Sequence, residues 1–199
     1  MNLAVLASGK GTNFASIAAA VKKGYIKANL KVLLVDKKDA PARGRAKKFG
    51  VKDIFINPGD YKSRLTYDKA LVKILKKEKV DLVILAGFMR VLTPYFVKSF
   101  KDKIINIHPA MLPAFRGVDA IERAFKYGSK FTGVTIHFVD DKVDHGPVIM
   151  QEPIKITQAL TLKELEAKVH KLEHKLYPLV VKLFVEKKIK KQGRNVKIG

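Results

Sequence analysis

Residues 81–86 read Asp-Leu-Val-Ile-Leu-Ala, and this unbroken apolar run before Gly87 restricts the fold more than any other stretch of the chain. A strand with one face in water alternates apolar and polar residues, so a continuous run predicts a strand buried on both faces at the centre of a sheet. Leu3-Ala4-Val5-Leu6-Ala7 reads as a short buried strand of the same kind, Lys31 to Val35 as a second parallel strand and Asp53 to Asn57 as a third. Helical patterns separate them. One begins near Phe14, a short basic one covers residues 41–49, and one from about Ser63 to Lys79 turns Leu71, Ile74 and Leu75 inward beneath a lysine-rich outer face. Strands alternating with helices imply an α/β fold: a doubly wound, mostly parallel sheet with helices on both faces.

The second half continues less regularly. Ile104 to His108 reads as a strand, Pro94 opens a helix before it, and residues 118–127 look helical after it. Phe131 to Val139 alternates as a strand, with Val134, Ile136 and Phe138 on one face and His137 between them as a structural histidine. Val148 to Ile156 pairs as a further strand. Thr161-x-x-Glu164 forms a capping box, and Leu162, Leu165, Val169, Leu172, Leu176 and Leu179 give the stripe of a long helix bent near Pro178. Residues 1–186 therefore form a single domain, and 187–199, basic and poor in apolar residues, a loose tail. A chain of 199 residues buries roughly 70% of the surface that its unfolded form exposes.

The formal charge of +22 admits a nucleic-acid surface or a lysine-rich solvated face that attracts small anions. The lysines are scattered through the helices and not gathered into an arm, which favours the second. The chain has no cysteine, which removes thiolate nucleophiles, disulfides and Cys-type zinc sites. No apolar run of about 20 residues and no signal-peptide pattern is present, so no membrane is expected and a cytoplasmic location is.

Chemistry concentrates in three places. In the strand before Pro109, Asn106 and His108 are two apart and share one side, near a strand's carboxyl end where open α/β sheets bind ligands. An acidic loop, Asp140-Asp141-Lys142-Val143-Asp144-His145-Gly146-Pro147, follows another strand, and a carboxylate there can orient and charge His108. Ser8-Gly9-Lys10-Gly11-Thr12-Asn13 turns the first strand into a helix whose opening N–H groups suit a phosphate. Phe14 stands where a dinucleotide fingerprint needs glycine, and the P-loop pattern is missing, so a phosphate monoester fits best. Asp36, at a strand end, reads as a turn residue without that fingerprint. His170-Lys171-Leu172-Glu173-His174 matches the pattern of inverted zinc proteases, but downstream only Glu186 offers a further carboxylate, so no metal is expected.

Asn106-x-His108-Pro109, Asp144-x-Gly146-Pro147, Leu85-Ala86-Gly87-Phe88-Met89-Arg90 and Gly9-x-Gly11-x-Asn13 together resemble the phosphoribosylglycinamide formyltransferase family, folate-dependent enzymes of purine synthesis. The resemblance covers nearly the whole chain. It implies a formyltransferase-type Rossmann-like fold, 10-formyltetrahydrofolate as co-substrate without a metal, and small-molecule substrates for a monomer or homodimer with no specific nucleic-acid partner. It assigns catalysis to Asn106, His108 and Asp144, and the ribonucleotide to Gly11, Thr12, Asn13, His170 and Glu173. The folate goes to Arg64, Met89, Arg90, Val91, Leu92, Asn106, Asp140 and Asp144.

Ala110-Met111 and Phe115-Arg116-Gly117 depart from the family's usual Ser-Leu and aromatic-Pro-Gly, and His145 stands in the folate-side loop where a small or acidic residue is more usual. Two alternatives stay open: the catalytic domain of a methionyl-tRNA formyltransferase, and a non-catalytic basic nucleic-acid-binding protein.

Overall fold

A computed structural model describes all residues, 1–199. Its strands form a mostly parallel seven-stranded sheet, and the chain divides into two compact units, Met1–Asn106 and Ile107–Gly199.

In the first unit, β1 (Asn2–Ala7), β2 (Asn29–Val35), β3 (Lys52–Phe55), β4 (Leu82–Leu85) and β5 (Ile104–His108, paired through Asn106) run in parallel in the order β3-β2-β1-β4-β5. Leu82, Val83 and Ile84 are fully buried between neighbours on either side, as an unbroken apolar run requires. The order reverses at β1, whose neighbours are β2 on one side and β4 on the other. Such a switch point leaves a crevice at the carboxyl ends of the strands, the usual ligand position in open α/β sheets.

The first helix, α1 (Thr12–Lys22), starts two residues before the expected Phe14, because Gly11 takes a left-handed φ of 69° as its N-cap. Thr12 and Asn13 thereby enter the first helical turn, where backbone N–H groups lack helical partners. Pro41 opens α2 (Pro41–Phe49) and left-handed Gly50 closes it, the usual asymmetry of helix ends. The third, α3 (Arg64–Lys77), is fixed by a reciprocal Ser63/Thr66 capping box. Buried Asp68 within it accepts from the backbone N–H (2.6 Å) and hydroxyl (2.7 Å) of Thr93, the residue that precedes α4 (Pro94–Ser99).

In the second unit, α5 (Ala120–Lys126) precedes β6 (Phe131–Phe138), which pairs antiparallel with β7 (Val148–Lys155). The helix is shorter than the expected 118–127 because Asp119 has a left-handed φ of 55°. The 24-residue α6 (Leu162–Val185) carries the expected Thr161/Glu164 capping box and contains Pro178. The segment after it differs from a loose tail. Ile189–Gln192 and Asn195–Ile198 form a hairpin, β8–β9, turned at Gly193 with φ 59°. Ile189 is paired with Ile198 and Lys191 with Val196, so one face carries enough apolar surface to order a segment whose other face is lysine. No helix is long and apolar enough to cross a membrane.

Candidate active site

At the switch point, two strand-end turns are tied together. Ser8, after β1, donates its N–H to the Gly87 carbonyl (3.0 Å), and its buried hydroxyl accepts from the Met89 N–H (2.9 Å). The glycine turn is also pinned against α2: Ala42 N–H reaches the Gly9 carbonyl (3.2 Å) and Arg45 Nε the Lys10 carbonyl (2.9 Å). A Cβ on Gly11 would stand 2.6 Å from Ala42 Cβ, so glycine is required there by contact as well as by its φ of 69°. A basic pair, Lys10 and Arg45, thus flanks a helix start with no acidic residue in its first turn, an arrangement suited to an anion.

The segment after β4 presents Met89 and Val91 to solvent, 64% and 47% exposed, while Leu92 turns into the core at 7%. Two exposed apolar side chains thus stand together beside the switch point. Arg90 lies between them with its guanidinium 5.0 Å over the Tyr67 ring. Burial first, then Asp36, pushes the Tyr67 hydroxyl well above its ordinary value, with Arg90 acting against both. Arg64 occupies the first turn of α3 and is exposed. Asn106 and His108 stand two apart on β5, and strand geometry directs them to one side.

In the second unit, His108 is buried, with Nδ1 3.3 Å from Asp144 Oδ2 and Nε2 2.9 Å from the Phe115 carbonyl. A carbonyl only accepts, so Nε2 donates to it. Acceptors on both ring nitrogens favour the doubly protonated ring, whereas burial favours the neutral one. Burial wins: it lowers the His108 pKa below its ordinary value, against Asp144 and the Phe115 carbonyl, which raise it. The expectation that Asp144 charges His108 is thus right in sign and incomplete in outcome.

Burial alone would raise the Asp144 carboxyl. Hydrogen bonds from His137 and the Gly117 N–H (2.9 Å to Oδ2), with His108 nearby, outweigh it and hold Asp144 below the usual carboxylate range. His137, expected as a structural histidine, meets this carboxylate. Its Nδ1 donates to the Phe138 carbonyl (2.7 Å), and its Nε2 faces Asp144 Oδ1 at 3.6 Å. Part of the signal was available: Thr135 and His137 are polar residues two apart within a buried strand, the same pattern that singles out Asn106 and His108. Thr135 Oγ donates to the Ala110 carbonyl (2.7 Å) and accepts from the Leu112 N–H (3.1 Å), fixing the chain just beyond His108.

The remaining candidates form two further pairs. Asp140 Oδ2 is 2.7 Å from His145 Nδ1, and Oδ1 accepts from the Lys142 N–H. Burial raises this carboxyl, but His145 and the Lys142 N–H prevail and lower it. On α6, buried Glu173 meets exposed His170 Nδ1 at 3.0 Å. No group of three His, Cys, Asp or Glu side chains is placed to hold a metal ion.

Comparison with known proteins follows the same lines. Residues 1–181 match the family model described as formyl transferase. A phosphoribosylglycinamide formyltransferase of Bacillus subtilis is 40% identical over 90% of this chain and 92% of its own length. The protein of that name from Escherichia coli is 35% identical, over 96% of this chain and 90% of its own. Among solved structures, glycinamide ribonucleotide transformylase 1 of Symbiobacterium toebii superposes with a TM-score of 0.97 at 37% identity, covering 100% of this chain and 93% of its own.

Proposed function

The chain belongs to the formyl transferase family, and from that we infer that it transfers a formyl group from 10-formyltetrahydrofolate to the amine of N1-(5-phospho-D-ribosyl)glycinamide in de novo purine biosynthesis. The observation that carries the assignment is the buried His108–Asp144 pair, 3.3 Å apart with side chains 5% and 10% exposed, beyond the carboxyl end of a central strand.

Acyl transfer to an amine places negative charge on the formyl oxygen as the new C–N bond forms. Asn106 donates a hydrogen bond to that oxygen, and His108 joins it when the formyl oxygen replaces the Phe115 carbonyl as the acceptor of Nε2–H; in a water-poor site such donors act before any solvent can reorganise. The imidazolium is the stronger donor. Burial makes it scarce, and Asp144 offsets part of that cost by its negative charge. The free amine attacks; a proton then leaves the ammonium centre of the adduct and one reaches the departing folate nitrogen through His108 and Asp144, with His137 facing the second carboxylate oxygen.

Gly11, Thr12 and Asn13 hold the ribonucleotide phosphate at the start of α1, beside Lys10 and Arg45. Glu173 takes the ribose hydroxyls, with His170 beside it. Met89 and Val91 line the pteridine slot, Leu92 backs it from the core, and Arg90 and Arg64 supply cations to the folate. Asp140 and Asp144 complete the folate side. The substrates are small molecules, and the protein works as a monomer or homodimer in the cytoplasm without a specific nucleic-acid partner.

A thermal-shift screen tests the reading, since a ligand that binds only the folded state raises the melting temperature. The ribonucleotide should stabilise the protein, and transfer RNA or a random oligonucleotide should act weakly and lose its effect in moderate salt. A tight, salt-resistant complex with transfer RNA would overturn it.

A further inference from the structure

Two backbone groups set how His108 and Asp144 meet, and both come from one short strap. The Phe115 carbonyl accepts from His108 Nε2, and the Gly117 N–H donates to Asp144 Oδ2, each at 2.9 Å. The strap belongs to no helix or strand. Phe115 has a left-handed φ of 52° and Gly117 one of 84°. A non-glycine residue in that region costs on the order of 1–3 kcal/mol, and it persists only where the surroundings over-determine it. Arg116 between them has no ring to fix its own φ, unlike proline.

The constraint comes from α5. Arg123 Nη1 donates to the Arg116 carbonyl (2.7 Å) and to the Val118 carbonyl (3.3 Å), while its guanidinium stands 5.9 Å over the Phe115 ring. Tyr127, just beyond the helix, meets the same ring edge-on at 5.8 Å between centroids. One nitrogen of the planar guanidinium thus reaches both carbonyls while the group lies over the ring. We propose that Arg123 is a positioning residue for formyl transfer: it clamps residues 115–118 so that one strap presents a carbonyl to His108 and an N–H to Asp144.

The consequence has a definite direction. Around His108 the charged or titratable groups are Asp144, His137 of β6 and Glu173 of α6, and around Asp144 they are His108 and His137. None of these changes when Arg123 is replaced. A loosened strap withdraws the carbonyl that favours His108 protonation and the N–H that favours Asp144 ionisation. The histidine should titrate lower and the carboxyl higher.

The proposal rests on His108 and Asp144 as the reacting pair, so its test needs a readout that does not depend on catalysis. The full-length protein carries 5 histidines, and NMR titration with His108→Gln to identify the His108 signal follows that ring alone. In Arg123→Ala the His108 midpoint should fall, turnover should drop roughly tenfold to a hundredfold, as for misplacement by about an ångström, and the ribonucleotide KM should stay nearly constant. Arg123→Lys should fall between parent and alanine variant. Lys126→Ala removes the same charge from the same helix, where Lys126 pairs only with Glu122, and should change neither quantity. If Arg123→Ala stays folded by circular dichroism with the parental His108 midpoint, or if Lys126→Ala shifts it equally, the clamp is refuted. If the midpoint moves while turnover does not, the clamp holds and the assignment of His108 as a reacting group fails.

Discussion

The second unit contains a buried histidine–carboxylate pair and a more exposed one within the same loop region, and the closer contact is the more exposed. His145 and Asp140 are 2.7 Å apart, with side chains 30% and 35% exposed. His108 and Asp144 are 3.3 Å apart, at 5% and 10%. Water screens the first pair, so its short distance adds little to stability: exposed pairs contribute about 0–1 kcal/mol. In the buried pair the solvation cost, the ring nitrogens' acceptors and the strap N–H all act at low dielectric and set the charge state jointly. Environment rather than separation distinguishes the two pairs. The His170–Glu173 pair is intermediate, with a carboxylate 6% exposed and a histidine 53% exposed.

The contrast is broken most severely by Asp144→Asn, which should lower single-turnover formyl transfer by up to about 10⁴, the scale of the same isosteric exchange in a serine-protease triad. Calorimetry should find ribonucleotide affinity almost unchanged, because phosphate and ribose are held by other residues. Asn106→Ala comes next, with turnover reduced roughly 10²–10³-fold while both ligands still bind, the usual effect of removing one oxyanion donor. Glu173→Gln should weaken ribonucleotide binding by about tenfold, the low end for a charged hydrogen bond, and leave transfer from the bound state largely intact. His145→Asn, at the exposed pair, should alter the folate KM by less than about fivefold. A large effect there would erase the distinction between the pairs.

The same contrast appears in stability against pH. His108 has a folded-state pKa below its ordinary 6.5, so between the two values the unfolded chain binds the extra proton and stability rises with pH. Asp144, held below its ordinary 3.8, contributes stability that is present above that value and lost as pH falls through the folded one. Denaturant titrations of parent and His108→Gln should therefore converge as pH drops below 6.5, because only the parent loses stability there.

How much of this could be read from the sequence follows from where each interaction's partners lie. Leu82 to Leu85, the Thr161/Glu164 cap and the amphipathic α3 are encoded within a few residues, so strand, cap and helix were legible. The glycine turn was legible as an anion site, but its clamping by Ala42 and Arg45 depends on the packing of α2. The contact of His137 with Asp144 was not legible, because its apolar neighbours dominate the alternation and its partner lies in a later loop. The β8–β9 hairpin was missed because lysines masked the Ile189, Val196 and Ile198 face. Phe115 and Gly117 act through backbone groups, and nothing in their side chains announces a carbonyl for His108 or an N–H for Asp144. Net burial of His108, which reverses the effect of its carboxylate, is likewise a property of three-dimensional packing.

We propose that protonated His108, sustained by Asp144 against burial, is the group that works on the formyl oxygen. It is tested most directly by measuring the His108 midpoint by NMR beside the pH dependence of single-turnover formyl transfer, in the parent and in Asp144→Asn. Transfer in the parent should fall as pH rises through the His108 midpoint, below 6.5, and Asp144→Asn should move the midpoint and that limb of the profile down together. A parental profile with no limb at the His108 midpoint, or a variant whose transfer collapses while the midpoint stays in place, would contradict it.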